Sequence, residues 1–149
     1  MTSKAFSSQG FEVHIGISDA VLVNDDGSES FIEIGEVVDV DPPSPTRDTI
    51  DVTHMKSDIK EFISGLMDGG SATLNCNFIP DDAGQLECRE AFTAGQLRNF
   101  RFDFNTTLTP NRLKVKGVIV GMPQKASTND KAGLSVSIKV SSIYSWVNQ

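Results

Sequence analysis

Two histidines, His14 and His54, and two cysteines, Cys76 and Cys88, are the side chains best suited to nucleophilic or metal chemistry in this sequence. A nucleophile needs a base within hydrogen-bond reach, and neither histidine belongs to a motif that supplies one. His14 falls on the polar side of an alternating run and reads as a solvent-facing strand residue, while His54 reads as a loop residue. The cysteines form no CxxC pair and lie in different elements, so they read as buried thiols. Two histidines and two separated cysteines give no zinc spacing. The acids Asp25, Asp26, Asp39, Asp41, Asp81 and Asp82 occur in pairs, yet no calcium loop with its central Gly and terminal Glu surrounds them. Turns and helix caps account for them. GGSATL lacks the Lys-Ser/Thr ending of a phosphate loop, and no aromatic row is interleaved with basic residues. The expectation is no catalytic residue, no cofactor and no metal, in a protein that is not an enzyme.

The elements that would position such residues are mostly strands. FEVHIGI alternates with Phe11, Val13, Ile15 and Ile17 on one face. FIEIGEVVDVD, residues 31–41, reads as a single returning strand after an Asp26-Gly27 turn, and Pro42, Pro43 and Pro45 end it. RDTIDVT, ATLNCNFI, RNFRFDFN, RLKVKGVIVGM and LSVSIKV alternate in the same way, the last with Leu134, Val136, Ile138 and Val140 on one side. One helix stands out over residues 82–95, capped by Asp81 or Asp82 and ended by Gly95, with Gly84, Cys88, Ala91, Phe92 and Gly95 on its packing face and Leu86 off it. Seven or eight strands with one flanking helix predict a mainly β fold, an antiparallel sandwich or barrel.

The chain has 149 residues, the size of one domain spanning 1–149, with residues 1–10 as a polar arm. A net charge of -7 argues against ordinary nucleic-acid binding, which needs clustered Lys and Arg. No apolar run approaches the roughly 18 residues of a membrane span, and the first residues lack a signal-peptide core, so no membrane partner is expected.

One stretch resists this scheme. HMKSDIKEFISGLMDGG, residues 54–70, carries Ile59, Phe62, Ile63, Leu66 and Met67 between two strands, punctuated by Gly65, Gly69 and Gly70. The spacing of Ile59, Phe62, Ile63 and Leu66 fits a short core helix, and the glycines oppose it. The alternative is a long loop ordered by a neighbouring chain, because fixing so many residues costs more backbone entropy than these side chains return on an isolated domain. Loops of this length inside compact domains are usually functional or disordered.

With the neighbouring segments, this stretch resembles a known family. RDTIDVTHMKS, KEFISGLMDGGSATLNCNFIPDD, REAFTAG, RNFRFDFN and LKVKGVIVGMPQKASTNDKAGLSVSIKVSS together are similar to the tail tube proteins of long-tailed, non-contractile bacteriophages of the lambda type. The likeness covers roughly residues 30–142, and its most specific element is Glu61-Phe62, Gly65-Leu66 and Asp68-Gly69-Gly70. It implies a β-sandwich with a helix, six subunits in a ring, and rings stacked head to tail into a hollow tube of the virion tail. It further implies a loop touching neighbours through Ile59, Glu61, Phe62, Ile63, Leu66, Met67 and Asp68. The implied partners are further copies of the chain, a tape-measure protein, and the tail terminator and distal tail proteins, with DNA passing through unread. An acidic bore wall would not retain DNA phosphates, and a bore lined mainly by Lys and Arg would contradict that idea. Some members carry an extra immunoglobulin-like domain, which is not expected here. SIYSWVN, with Tyr144 and Trp146, reads either as a last strand or as a contact to the next ring. Rival readings are a terminator or distal adaptor, a tube protein of a contractile tail or type VI secretion system, and a small ligand-binding barrel or hydrolase.

Overall fold

The computed structural model describes residues 10–17, 30–104 and 111–148. The arm before Gly10, the Asp26-Gly27 turn, and the side chains of Tyr144 and Trp146 lie outside these. Among the described residues, the chain forms strands β1 (Glu12–Gly16), β2 (Phe31–Glu33), β3 (Val37–Asp41), β4 (Thr46–Asp51), β5 (Phe62–Asp68) and β6 (Ser71–Asn77). Helix α1 (Ala83–Ala94) follows, then β7 (Leu97–Phe104), β8 (Asn111–Gly121), β9 (Gln124–Ser127) and β10 (Asp130–Asn148). All pairings are antiparallel, and the main sheet runs β2-β1-β7-β8-β10-β6-β3, with β9 also on β10. Strands β4 and β5 make a separate two-stranded sheet. The backbone of SIYSWVN belongs to the last strand, opposite β8.

The run expected as one strand over 31–41 is two. It breaks at Gly35-Glu36, where Glu36 adopts a left-handed φ of 53°, and its halves join opposite edges of the main sheet. The Ile34 amide donates to the Val13 carbonyl on β1 at 2.9 Å, and the Asn77 amide of β6 donates to the Glu36 carbonyl at 3.0 Å. Three successive residues thereby tie both ends of the sheet together and close it around one core. Val13, Ile15, Leu74, Phe100, Phe102, Val115, Val136 and Ile138 fill that core and are wholly buried. Each is the inward member of an alternating strand, and burial of such a side chain contributes about 1.5 to 3 kcal/mol.

Helix α1 locks the closure. Asp82 caps it by accepting from the Gln85 amide at 3.0 Å, and the same carboxylate oxygen accepts from the Gly35 amide at 3.1 Å. Gly84 is required because a Cβ there would collide with the Glu33 carbonyl, and Gly95 ends the helix at φ 66°. The expected packing face holds at Gly84, Cys88 and Ala91, but Phe92 is exposed and Gln85 is buried in its stead. Gln85 explains the difference chemically. Its Nε2 donates to the carbonyls of Asn77 at 2.8 Å and Gly35 at 3.2 Å, and its Oε1 accepts from the Ile79 amide at 3.0 Å, so it satisfies backbone groups where no strand can. Buried Arg98 secures the other end, donating to the Gly16 carbonyl at 2.9 Å and pairing with Glu87 of the helix.

Replacing Gln85 by Leu keeps the volume but orphans three backbone groups, each worth about 1 to 3 kcal/mol when buried unmet. The expected result is a fall in thermal midpoint of about 5 °C or more, read by circular dichroism on the isolated chain.

Candidate assembly hairpin and the charged sheet face

Residues 54–70 hold no helix, and the expected loop is confined to 54–61 and 69–70. Phe62–Asp68 form β5, paired with β4 through Asp51↔Phe62, Ile50↔Ile63, Thr49↔Ser64, Arg47↔Met67 and Thr46↔Asp68. The register slips between Arg47 and Thr49, where Gly65 and Leu66 both face Asp48. The β-bulge lets a strand carry part of that helix-like spacing, because it displaces Leu66 from strict alternation. Strand β3 runs on through Pro42–Pro45 into β4, and β5 through Gly69-Gly70 into β6. Since β3 and β6 are themselves paired, the β4–β5 hairpin extends that ribbon beyond the closed body.

A built joint separates the two halves of the ribbon. Gly70 has φ 74°, and a Cβ on it would stand 2.6 Å from the Ser44 carbonyl oxygen. Its amide donates to Asp68 Oδ1 at 2.8 Å, and its carbonyl accepts from the Val140 amide of β10 at 3.0 Å. At the tip, Thr53 Oγ1 accepts from the Glu61 amide at 2.9 Å and the Val52 amide donates to the Glu61 carbonyl at 2.9 Å. A turn from His54 to Ser57 follows, and His54 lies 3.6 Å from the Glu61 carboxylate.

No apolar side chain of this hairpin is buried. Ile50, Val52, Met55, Ile59, Phe62, Ile63, Leu66 and Met67 are all exposed, Leu66 at 86% and Phe62 at 54%. Alternation places Ile50 and Ile63 on one face and Phe62 and Met67 on the other, so both faces are apolar and both are bare. An isolated two-stranded hairpin is marginal in water, and so concentrated an apolar surface marks a contact site. Of the residues expected to touch a neighbour, Ile59, Glu61, Phe62, Ile63, Leu66 and Met67 lie on this hairpin, with side chains in solvent. Asp68 is exposed there too, and its carboxylate also accepts from the Gly70 amide and lies 3.6 Å from Lys139.

The polar face of the main sheet is the second feature. Glu12, His14, Glu33, Arg101, Asp103, Arg112, Lys114 and Lys116 share it by register. It therefore mixes both charge signs. Asp103 is buried and central, with Oδ1 3.1 Å from Arg101 and 3.5 Å from Arg112, and Oδ2 3.5 Å from His14. Arg101 also stacks over Phe31 at 5.0 Å. Burial lowers the pKa of His14, helped by the Arg101 charge and opposed by Asp103, Glu12 and Glu33. Spacing alone gave no sign of this grouping, which arises across strands from Glu12↔Asp103 and His14↔Arg101 pairs.

Neither cysteine is a nucleophile. Burial pushes the Cys76 thiol up to about 11 and the Cys88 thiol up to about 12, so both stay protonated.

A closed β body with one helix, and a hairpin whose apolar side chains are turned to solvent, are what this chain presents to its surroundings. The chain belongs to the family described as lambda phage tail tube protein, which matches residues 17–147, and it is a structural component of a phage tail tube. Comparison with curated proteins gives no match. Among solved structures, the fold is similar to the tail of an empty GTA particle refined with helical and C6 symmetry, at 17% identity and a TM-score of 0.69 over 97% of this chain and 99% of that one. It is similar to the SPP1 tail tube at 11% identity and a TM-score of 0.73, covering 97% and 80%. The sheath/tube terminator of PVC, an extracellular contractile injection system, is similar at 11% identity and a TM-score of 0.70, covering 97% and 98%.

Asp68 makes the joint sensitive to acid. The Gly70 amide, and then Lys139, hold its pKa below the usual carboxylate value. A depressed carboxylate contributes order that is present above its unfolded pKa and lost as pH falls through its folded one. Carbon-detected NMR is expected to show Asp68 titrating below 3.8. Lys139→Ala is expected to return part of that shift, leaving the part that Gly70 supplies.

Proposed function

We propose that this chain builds the tail tube as rings of six subunits stacked head to tail, with the β4–β5 hairpin as the arm each subunit lays on a neighbour. Ile59, Glu61, Phe62, Ile63, Leu66 and Met67 make the contact, and Asp68 sets the angle of the arm at its joint. The observation that carries this reading is the hairpin with apolar residues on both faces and none buried by its own chain. Six-fold order is supported by the C6 symmetry of the GTA tail that shares the fold. Assembly takes place in the host cytoplasm around a tape-measure protein, and terminator and distal tail proteins close the two ends. DNA then passes through the bore without specific binding, and the protein performs no catalysis.

The test is electron microscopy of concentrated purified protein. Long hollow tubes are expected for the native chain, and rings that never extend would instead identify a terminator. Phe62→Asp is expected to abolish tubes while changing the thermal midpoint by less than about 2 °C, because Phe62 is half exposed and lies outside the core of its own subunit. Tubes of normal length from Phe62→Asp would contradict the assignment of the hairpin.

A further inference from the structure

We propose that Glu12, His14 and Asp103 bind a divalent first-row transition-metal ion of the zinc type, stapling β1 to β7 on the polar face of the sheet. Glu12 and His14 are alternate residues of β1 and point to the same side, and Asp103 stands directly opposite Glu12 on β7. One ligand atom from each lies within 4.8 Å of the others. His14 Nδ1 and Asp103 Oδ2 are 3.5 Å apart, close to the separation of about 3.3 Å that two ligands with 2.0–2.1 Å bonds adopt around a tetrahedral ion. Glu12 Oε2, 3.8 Å from the other ring nitrogen, is on a half-exposed side chain that can swing to complete the set.

A second observation points to a missing ligand. His14 Nδ1, on a side chain 12% exposed, makes no hydrogen bond and faces Asp103 Oδ2 at 3.5 Å, on a carboxylate 4% exposed. A buried ring nitrogen left without a partner is costly, and an ion joining it to the carboxylate supplies that partner. The division of labour on Asp103 fits this arrangement. Its Oδ1 faces Arg101 and Arg112, while Oδ2 faces His14. Outer-shell partners commonly orient a ligating carboxylate in this manner, with one oxygen held and the other left for the metal. One imidazole with two carboxylates selects zinc, cobalt or manganese over magnesium or calcium, and water completes the coordination.

The test uses the full chain, untagged and stripped with a chelator. Titration calorimetry with Zn2+ is expected to show one ion per chain, and a saturating excess is expected to raise the thermal midpoint by about 5 to 10 °C. Co2+ is expected to develop visible absorption bands that Mg2+ does not. Glu12→Gln and His14→Gln are each expected to weaken Zn2+ binding by about 10- to 100-fold, and Glu12→Gln probes the site without touching a buried group. His54→Gln, which removes the other histidine, leaves binding unchanged. Absence of saturable Zn2+ binding below about 1 mM, or binding that survives both Glu12→Gln and His14→Gln, overturns the proposal.

Discussion

The structure depends on a three-residue bridge. Ile34, Gly35 and Glu36 pass from one edge of the main sheet to the other, and their backbone groups pair with β1 on one side and β6 on the other. Without that crossing the sheet has two open edges and a core exposed along the seam between them. Asp82 and Gln85 are spent on it, since both bond to Gly35, and Gly84 lets the helix approach closely enough for them to reach. The strained φ of Glu36 is the local cost of the tight crossing. Closing the sheet yields a body whose core is complete within one chain, so whatever the hairpin does, it is free of the task of holding the fold together.

That separation decides how much of the molecule was legible in the sequence. Period-two alternation arises where one face of a strand meets a core and the other meets water, so Leu134, Val136, Ile138 and the Phe100–Phe102 pair declared their strands plainly. Strand β5 has no core of its own. Its apolar residues sit on both faces, and the bulge at Gly65-Leu66 lets it carry part of a spacing that imitates a helix. The same stretch was nonetheless legible, from its glycines and its excess of apolar side chains, as one not spent on this chain's own core, and those side chains are exposed. The break at Gly35-Glu36 was hidden because apolar residues continue on both sides of it, Ile32 and Ile34 before and Val37 and Val40 after, although β3 itself shifts register between Val37 and Asp39. Gln85 was hidden because a polar residue beside a narrow helical face reads as solvent-exposed unless its backbone partners, distant in sequence, are known.

Likeness of fold unites tail tubes with a tube terminator at identities between 11% and 17%, so the closed body by itself does not specify which part of a tail a chain becomes. What distinguishes members must lie in what the body presents. In this chain those presentations are the hairpin, which is apolar on both faces, and a sheet face where acids and bases are interleaved around a buried Asp103. Membership of the lambda tail tube family gives the hairpin its context, and apolar area removed from water is the driving force it would supply on the proposed contact with a neighbour.

The central claim is that the hairpin faces another subunit. Amide hydrogen exchange across residues 46–68, followed in the unassembled chain and in tubes, tests it most directly. The account predicts fast exchange of these amides in the unassembled chain, while Phe100 and Val136 stay protected, and slow exchange throughout once tubes have formed. Equal protection of the hairpin before and after assembly would contradict it.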